Sequence, residues 1–458
     1  MSGIPLLIAF VVMVIIMIVA ISKFRLHPFL ALMGTSLVLA FLGGIPITKV
    51  PGVIGAGFSG VFSSLGIVII LGAMIGYFLE KTGAALKMAD SVVRRVGKKH
   101  PELAILLMGW IVSIPVFCDS GFVILNPIRR AIARKTGVSS VAMTVALSAG
   151  LYTSHVFIPP TPGPIAAAGT LGIGSNMLLV IGVGALVSIP CLIAAYIYAK
   201  CIGKRVKSTE DEDKNEAVKS YEELVKEYGK LPGTAASFTP IIVPVLLMSL
   251  SSIIAILGLA GPVADLITFL GTPMIALAVG LLFSIGLLSS ARKMKEFHGL
   301  TDETLKTVGP ILFVTAAGGV LGKVITEAGI TTFISENATF LTSVGVFFPF
   351  LLAAILKTAQ GSSTVAIITT ASVMGAFSAP GTLMQSLGFT TPLAAALAVM
   401  AIGAGAMTVS HANDSYFWVV TNFGRIKAED GYKTQTIVTL VMGIVAILFI
   451  WLLSMFVF

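Results

Sequence analysis

Charged side chains are scarce in this sequence. Asp, Glu, Lys and Arg make up only 11% of its 458 residues, whereas a soluble domain carries about 25%. The mean hydropathy is +1.00, and apolar runs of about 18 residues or more recur along the whole chain. These runs are continuous and do not alternate with polar residues, as the strands of a membrane β-barrel would. The composition therefore predicts an all-α polytopic membrane protein.

Cysteine is also scarce. The three cysteines, Cys118, Cys191 and Cys201, lie in or beside apolar segments. The sequence has no CxxC pair and no Cys/His ligand spacing, so it indicates neither a disulfide framework nor a metal site. We expect no cofactor.

The excess of basic residues, a formal net charge of +9, does not indicate a nucleic-acid partner. Lys and Arg cluster at the ends of apolar runs, as the positive-inside rule expects for a chain embedded in a lipid bilayer. The first run, Ile4 to Ile21, has no basic residue before it, and Lys23 and Arg25 follow it where a cleavage site would stand. It is predicted to be a retained first span and not a signal peptide.

Uninterrupted spans alternate with shorter apolar elements. The uninterrupted spans are predicted at 4–22, 29–46, 59–79, 177–200, 238–257, 272–290, 307–326 and 434–456. Residues 203–233 are the one soluble-looking segment and are predicted to form a charged, solvated cytoplasmic linker.

Two elements have arms too short to cross the membrane twice. Segment 103–135 has basic clusters on both sides and Cys118-Asp119-Ser120-Gly121 at its centre. Each arm has about 14 residues where a span needs about 20, which favours a re-entrant hairpin that enters and leaves from the cytoplasm. Segment 341–379, with 359–364 at its tip and few flanking basic residues, is predicted to be a hairpin that enters from outside.

Two further crossings are broken. The crossing at 138–175 contains Ser154 to Pro164, with four prolines and a glycine, and the crossing at 391–424 contains Ser410 to Ser415. Proline removes a backbone donor and clashes with the preceding turn. Irregular backbone is tolerated at membrane depth only where it is buried in protein or lines a cavity.

The same order of elements occurs twice, in residues 1–202 and in residues 234–458. GYFLEKTGA at 76–84 resembles GKVITEAGI at 322–330, and each broken crossing carries a Ser-His pair. Each half has five crossings, an odd number, so the second half is predicted to lie upside down relative to the first. Such inverted repeats with broken helices at the midplane are typical of secondary transporters.

An aspartate at membrane depth is expensive and rarely faces lipid. The presence of Asp119 at this depth is accounted for if it lies at a hairpin tip that faces a water-filled site. Free helix-end amides at such a tip attract anions. The sequence therefore predicts that two tips and two breaks form a binding site for a small polar anion. The predicted substrate-binding residues are Asp119, Ser120, Gly121, Thr161, Gly163, Gln360, Gly361, Ser362, Ser363, Thr364, Ser410, His411, Asn413 and Asp414.

Four of the polar side chains are candidates for carrying a coupling proton: Asp119, Asp414, His155 and His411. The alternative for the carboxylates is a structural role as helix caps. The alternative for the histidines is a hydrogen bond between helices, and small residues at the tips also serve helix packing. Cys118 is interpreted as a small buried hydrophobe, and Lys357 as a charge at a hairpin base that snorkels.

The chain resembles the gluconate permease family within the ion transporter superfamily. The resemblance covers nearly the full length and rests on IPVFCDSGFVIL, SHVFIPPTPGPIAAA, QGSSTVA and SHANDSYFW. It implies a carrier of the bacterial inner membrane that imports gluconate or a related sugar acid by proton symport. It also implies a homodimer, in which each protomer has a scaffold domain and a transport domain that moves like an elevator.

Other functions remain open at this stage. Some family members carry D-serine or small hydroxy acids such as glycerate, and tip carbonyls and hydroxyls also suit sodium coupling. An intramembrane hydrolase built on Cys118, His155 and Asp414 is a remote alternative, because the polar groups are duplicated whereas catalysis needs one asymmetric pair. A passive channel would seldom need titratable groups in both halves. We therefore expect a transporter and not an enzyme.

Overall fold

The computed structural model describes residues 3–22, 24, 26–96, 100–212, 223, 231–257, 259–329, 344–411 and 414–457. Its regular structure is helical, and these residues contain no strand. Within these residues, 6 helices are long and apolar enough to cross a membrane, or 7 if the bent pair Gly66–Lys81 and Ala84–Ser91 counts as one span. The all-α, polytopic class predicted from the composition is confirmed.

The first half of the chain contains nine helices of nine residues or more in the described part. They are α1 (Ile4–Ser22), α2 (Pro28–Leu42), α3 (Val50–Lys81), α4 (Ala84–Val96), α5 (Pro101–Val112), α6 (Cys118–Thr136), α7 (Ser140–Phe157), α8 (Pro162–Thr170) and α9 (Met177–Ile202). The turn between α5 and α6, residues 113–117, is called the first tip.

The second half contains nine helices of nine residues or more in the described part. Its helices are α10 (Thr234–Leu257), α11 (Pro262–Gly271), α12 (Pro273–Ser290), α13 (Phe297–Glu327), α14 (Phe347–Gln360), α15 (Ser363–Met374), α16 (Pro392–Met407), α17 (Ser415–Phe423) and α18 (Ile437–Ser454). The second tip, residues 361–362, joins α14 to α15. A short helix, α11, follows α10, and no described helix stands where α4 stands in the first half; residues 330–343 lie outside the described part.

The core is built on α7 and α16, which are buried along their lengths. Every residue of Ser140–Phe157 is buried, as is every residue of α16 from Ala394 onward. Glycines bring the neighbouring helices close: an added Cβ at Gly150 would overlap a backbone oxygen of α5, and one at Gly405 would overlap a backbone oxygen of α14. Small residues permit such close backbone packing between apolar helices.

The helices form two layers. In one layer α3 packs on α12 and α13, α2 packs on α13, and α10 packs on α12. In the other, α5 and α6 pack on α7, α14 and α15 pack on α16, and α9 packs on α18. The layers meet chiefly where α8 packs on α3 and α15 packs on α13.

Val206, Ser208 and Glu210, at the start of the segment between the halves, are buried, which differs from the solvated linker expected there. Glu210 is 7% exposed, and its carboxylate accepts hydrogen bonds from Arg129 (2.7 Å), Arg130 (2.6 Å) and the Ser140 hydroxyl (2.6 Å). The physical reason lies in α6, where the fully buried Arg129 requires a paired counter-charge. Residues 213–222 and 224–230 of the predicted linker lie outside the described residues.

The Glu210 contacts predict an acid-sensitive contribution to stability. Burial raises the pKa of Glu210, but the Arg129 charge and the hydrogen bonds from Ser140, Arg129 and Arg130 outweigh it and hold the pKa below the ordinary 4.5. This stabilisation is present above pH 4.5 and is lost as the pH falls through the lower, folded-state value.

We expect Glu210→Gln to lower the free energy of unfolding at pH 7 by about 3 kcal/mol, because two buried arginine contacts lose their counter-charge. Thermal unfolding in detergent from pH 7 to pH 3 measures the difference between wild type and variant. It should shrink below pH 4.5. An unchanged difference across this range would contradict the assignment.

Candidate functional site

The two tips and the second break line a cleft of about 310 Å³ between the layers. Its walls come from α6, α7, α15 and α17 on one side and from α2 and α13 on the other. The lining residues are His27, Phe117, Cys118, Asp119, Tyr152, His155, Thr307, Pro310, Ile311, Val314, Ser362, Ser363, Thr364, Val365, Asp414, Ser415 and Tyr416. Three helices on the first side, α6, α15 and α17, begin there, and on the other side α2 begins there directly after His27.

The starts of α6, α15 and α17 differ in how they are capped. Phe117 precedes α6 and provides no side-chain cap. The Ser362 hydroxyl accepts a hydrogen bond from Val365 N (3.3 Å) at the start of α15, and the Asp414 carboxylate accepts one from Tyr416 N (3.0 Å) at the start of α17. Helix N-termini carry partial positive charge and free N–H groups, so three of them together favour a bound anion.

A buried ion pair holds the second tip to the second break. Lys357 is 0% exposed, and its ammonium donates to Asp414 Oδ2 (2.6 Å) and to the Gly361 carbonyl. The Ser410 hydroxyl donates to the same carboxylate oxygen of Asp414 (2.5 Å). The carboxylate and the ammonium therefore have several partners each, which a buried charge pair requires.

This position of Lys357 corrects its interpretation as a snorkelling charge at a hairpin base. Its side chain points into the protein because Asp414 needs a counter-charge at membrane depth and lies within reach. Two features of the sequence could have identified it: an isolated lysine in an apolar arm, and a spacing of four residues from Gly361. The pair also gives Asp414 a partner that sequence reasoning did not supply.

Asp119 lies in the cleft with weak partners. Its carboxylate oxygens are 3.4 Å from the Ser415 hydroxyl and 3.6 Å from Cys118 Sγ. Among the described residues, the ion pairs do not include Asp119. The two aspartates of the site thus differ: Asp414 is paired with a lysine, and Asp119 is available to the cleft.

The two matching histidines also differ. His155 is 4% exposed and lines the cleft, with Nε2 3.4 Å from the Thr364 hydroxyl and no hydrogen-bond partner for Nδ1 in the described part of the chain. His411 lies outside the cleft lining, and its Nε2 contacts the Thr358 carbonyl (3.2 Å). Of these two histidines only His155 has a ring nitrogen available to the cleft, and His27 also lines the cleft, from the opposite wall.

The three glycines that were predicted to bind substrate lie behind the cleft surface. An added Cβ at Gly121 would lie 2.7 Å from the Leu151 side chain, and one at Gly163 would lie 3.0 Å from Ile367, so both glycines serve helix packing. Gly361 has φ +85° and ends α14, a conformation that favours glycine.

The other predicted residues divide in the same way. Ser362, Ser363 and Thr364 line the cleft, whereas Ser120 does not. Thr161 precedes α8, and its hydroxyl donates to the Ile158 carbonyl (2.8 Å). The helix of Gln360 is described but its side chain is not, and Asn413 lies outside the described residues. In the described ranges, no group of three or more His, Cys, Asp and Glu side chains could hold a metal ion.

The ion pair predicts a non-additive effect of neutralising its members. We expect Lys357→Met to lower the free energy of unfolding by about 3–5 kcal/mol, because it leaves the Asp414 carboxylate buried without a counter-charge. Lys357→Met combined with Asp414→Asn should recover much of this loss. Thermal unfolding of the two single variants and the double variant measures the coupling, and strictly additive effects would contradict a direct pair.

Comparison with known proteins places the chain in a family. It matches the GntP family permease family over residues 4–456. It is 32% identical to the inner membrane permease YgbN of Escherichia coli, over 98% of this chain and 99% of that protein. It is 29% identical to a gluconate permease of Pseudomonas aeruginosa, over 98% of each chain.

The fold is shared with a solved structure. MtrF of Neisseria gonorrhoeae superposes with a TM-score of 0.64 at 16% sequence identity, over 94% of this chain and 96% of that one. This likeness concerns the fold alone. With the family match over almost the whole length, the chain belongs to the GntP permease family and is a multi-pass transporter of the inner membrane, not an enzyme.

Proposed function

We propose that this protein is a secondary active transporter that imports gluconate or a related sugar acid by proton symport. The observation that carries the proposal is the cleft where three helix N-termini meet two aspartates of unequal environment. The N-termini suit an anion. Asp414 already has its counter-charge, and Asp119 provides a place for a proton.

The substrate is bound through its carboxylate and its hydroxyls. The carboxylate lies against the uncapped start of α6 and the first turn of α15, where N–H groups and partial positive charge are available. The hydroxyls of Ser363, Thr364 and Ser415 contact the hydroxyls of the sugar acid. A cleft of about 310 Å³ lies at the lower end of the size range of small-molecule sites, which suits a small acid such as a six-carbon sugar acid. The name of the gluconate permease relative supports this substrate class.

Proton coupling follows from charge balance at Asp119. The charged or titratable groups around it are Cys118 on the same helix, Asp414 with its partner Lys357, Tyr152 and His155 on α7, Tyr416 on α17, and His27 on the opposite wall of the cleft. An ionised Asp119 would repel an anionic substrate, so binding is favoured when Asp119 is protonated. The proton removes the negative charge of Asp119 and the substrate brings in its own, so the net charge of the site stays the same. Proton and substrate therefore move together. Of the four candidates, Asp119 takes the proton and His155 is its nearest alternative in the cleft.

Transport requires the two layers to move past each other. We propose that α1–α3 with α10–α13 form the scaffold, that the other layer carries the substrate as an elevator, and that two such chains form a homodimer. Gly72 and Gly76 of α3 face Pro160 and Pro115, and Gly318 and Gly322 of α13 face Ser372. In each pair the glycines are four residues apart, and the second glycine begins one of the similar sequences, GYFLEKTGA or GKVITEAGI. This match supports an inverted repeat of 1–202 and 234–458.

In this arrangement the cleft opens toward the cytoplasm. Its scaffold wall is formed by His27 and by Thr307 to Val314, in the parts of α2 and α13 that follow the proposed cytoplasmic loops. On the other side of the membrane, α8 and α15 pack against the scaffold and close the path. The structure is therefore assigned to an inward-facing state.

Uptake into liposomes under an inward proton gradient, without sodium, tests the function directly. We expect labelled gluconate to accumulate, a protonophore to abolish the accumulation, and sugar acids to compete better than D-serine or glycerate. Accumulation only with sodium would reject proton symport. Stronger competition by D-serine or glycerate would reject the sugar-acid assignment.

Asp119→Asn should abolish proton-driven accumulation or remove its dependence on pH, because the amide cannot release a proton. Counterflow of labelled against unlabelled gluconate measures exchange without a proton gradient and shows whether binding survives. Asp265→Asn, at an exposed position on α11, is the matched control and should behave as wild type. Wild-type pH-dependent uptake by Asp119→Asn would refute its coupling role.

Gly76→Ala should slow uptake about tenfold, which corresponds to about 1.4 kcal/mol of added barrier. The added methyl group would overlap the Pro115 carbonyl oxygen at the first tip and hinder sliding of the layers. Gly55→Ala on the same helix has open space around the added carbon and controls for the effect of alanine on the helix. Equal uptake rates of the two variants would count against a sliding interface at Gly76.

A further inference from the structure

The surroundings of the Lys357 ammonium have the composition of a cation site. Its ligands are oxygen atoms: one carboxylate oxygen of Asp414 and the carbonyl of Gly361. Hard metal cations select carboxylate and carbonyl oxygens. In transporters with broken helices, the carbonyls at half-helix C-terminal ends coordinate the coupling cation.

The position of these oxygens matches that role. Gly361 is the C-terminal cap of α14, so its carbonyl lies at the negative end of a helix dipole. Asp414 lies in the break before α17, and Tyr152 presents its ring face 5.8 Å from the ammonium. A carboxylate, a helix-end carbonyl and an aromatic face all attract positive charge, and they converge from three different helices or their ends.

We propose that the Lys357 ammonium is a tethered cation, which permanently fills a site between the second tip and the second break where a free cation would otherwise bind. The lysine reaches this site from the last turn of α14 and has no exposed surface. Asp414 is thereby a fixed carboxylate that holds the tip in place and does not exchange its charge during transport. Lys357 acts through Asp414 and Gly361 and is a positioning residue.

The first half of the chain supports this reading by contrast. Residues 101–118 contain no lysine or arginine, so no cation is tethered next to Asp119 from that arm. One carboxylate of the site therefore has a built-in cation, and the other must take its positive charge from solution. This inference rests on the proposed function in one respect: both take Asp119 as the group that accepts the coupling proton.

Removal of the tether should turn the site into one that binds a free cation. Purified Lys357→Ala and wild type are unfolded thermally in choline, sodium, potassium, ethylammonium and propylammonium chloride at equal ionic strength. We expect the midpoint of Lys357→Ala to be lowered in choline and raised again by the alkylammonium ions or by sodium, because Asp414 and Gly361 then bind them. Wild type should not distinguish the salts, since its site is filled.

The matched control is Lys357→Ala with Asp414→Asn, which lacks the carboxylate and should show no cation response. A folded Lys357→Ala that ignores every cation overturns the proposal. The proposal is also overturned if Lys357→Ala stays unfolded in every salt while the double variant folds. Specific stabilisation of wild type by sodium or potassium would overturn it as well.

The unfolding measurement contains no substrate, so its result is independent of the acid carried. In liposomes, Lys357→Ala should regain gluconate uptake when the ion that restores its midpoint is present on both sides. A cation response in unfolding with no gluconate uptake by wild type would reject the proposed substrate and leave the tethered cation standing. Gluconate uptake by wild type with no cation response in Lys357→Ala would reject the tethered cation and leave the proposed substrate standing.

Discussion

Breaking a helix at membrane depth removes hydrogen bonds that water cannot replace, and the rest of this structure depends on how the broken ends are satisfied. The end of α14 gives its Gly361 carbonyl to Lys357, and the start of α17 is capped by Asp414. Lys357 and Asp414 then neutralise each other. The start of α6 has no side-chain cap and lies open to the cleft. The fold thus satisfies its second tip internally, whereas the start of α6 at the first tip has no side-chain cap.

This division explains how two halves with similar sequences serve different purposes. A symmetric site with two free aspartates would gather negative charge where an anion must bind. Placing a lysine beside Asp414 alone removes one of these charges permanently. The buried pair contributes little net stability compared with a well-packed apolar pair, because its desolvation is costly. Its value lies in fixing the geometry of the tip against the break.

The sequence predicted the class of fold and the segments on one side of the candidate cleft, because these depend on local signals. It did not predict the opposite wall, which His27 and Thr307 to Val314 form. Scarce charge and long apolar runs indicated membrane helices. Polar residues, glycine and proline interrupt these runs and so marked the tips and breaks. The partners were not predictable. Arg129 with Glu210, and Lys357 with Asp414, are separated by 81 and 57 residues, and nothing local specifies such pairs. For the same reason Gly121 and Gly163 looked like ligands for substrate, whereas their neighbours make them packing residues.

The buried segment after α9 also ties together parts of the chain that are remote in sequence. Glu210 contacts α6, and the Thr209 amide donates to the Arg425 carbonyl at the end of α17 (3.2 Å), so residues just after the first half already touch the second. A chain divided between residues 213 and 230 would keep Thr209 on its first fragment and Arg425 on its second, so this contact would join the two fragments. Two co-expressed halves would therefore have a ready-made point of assembly.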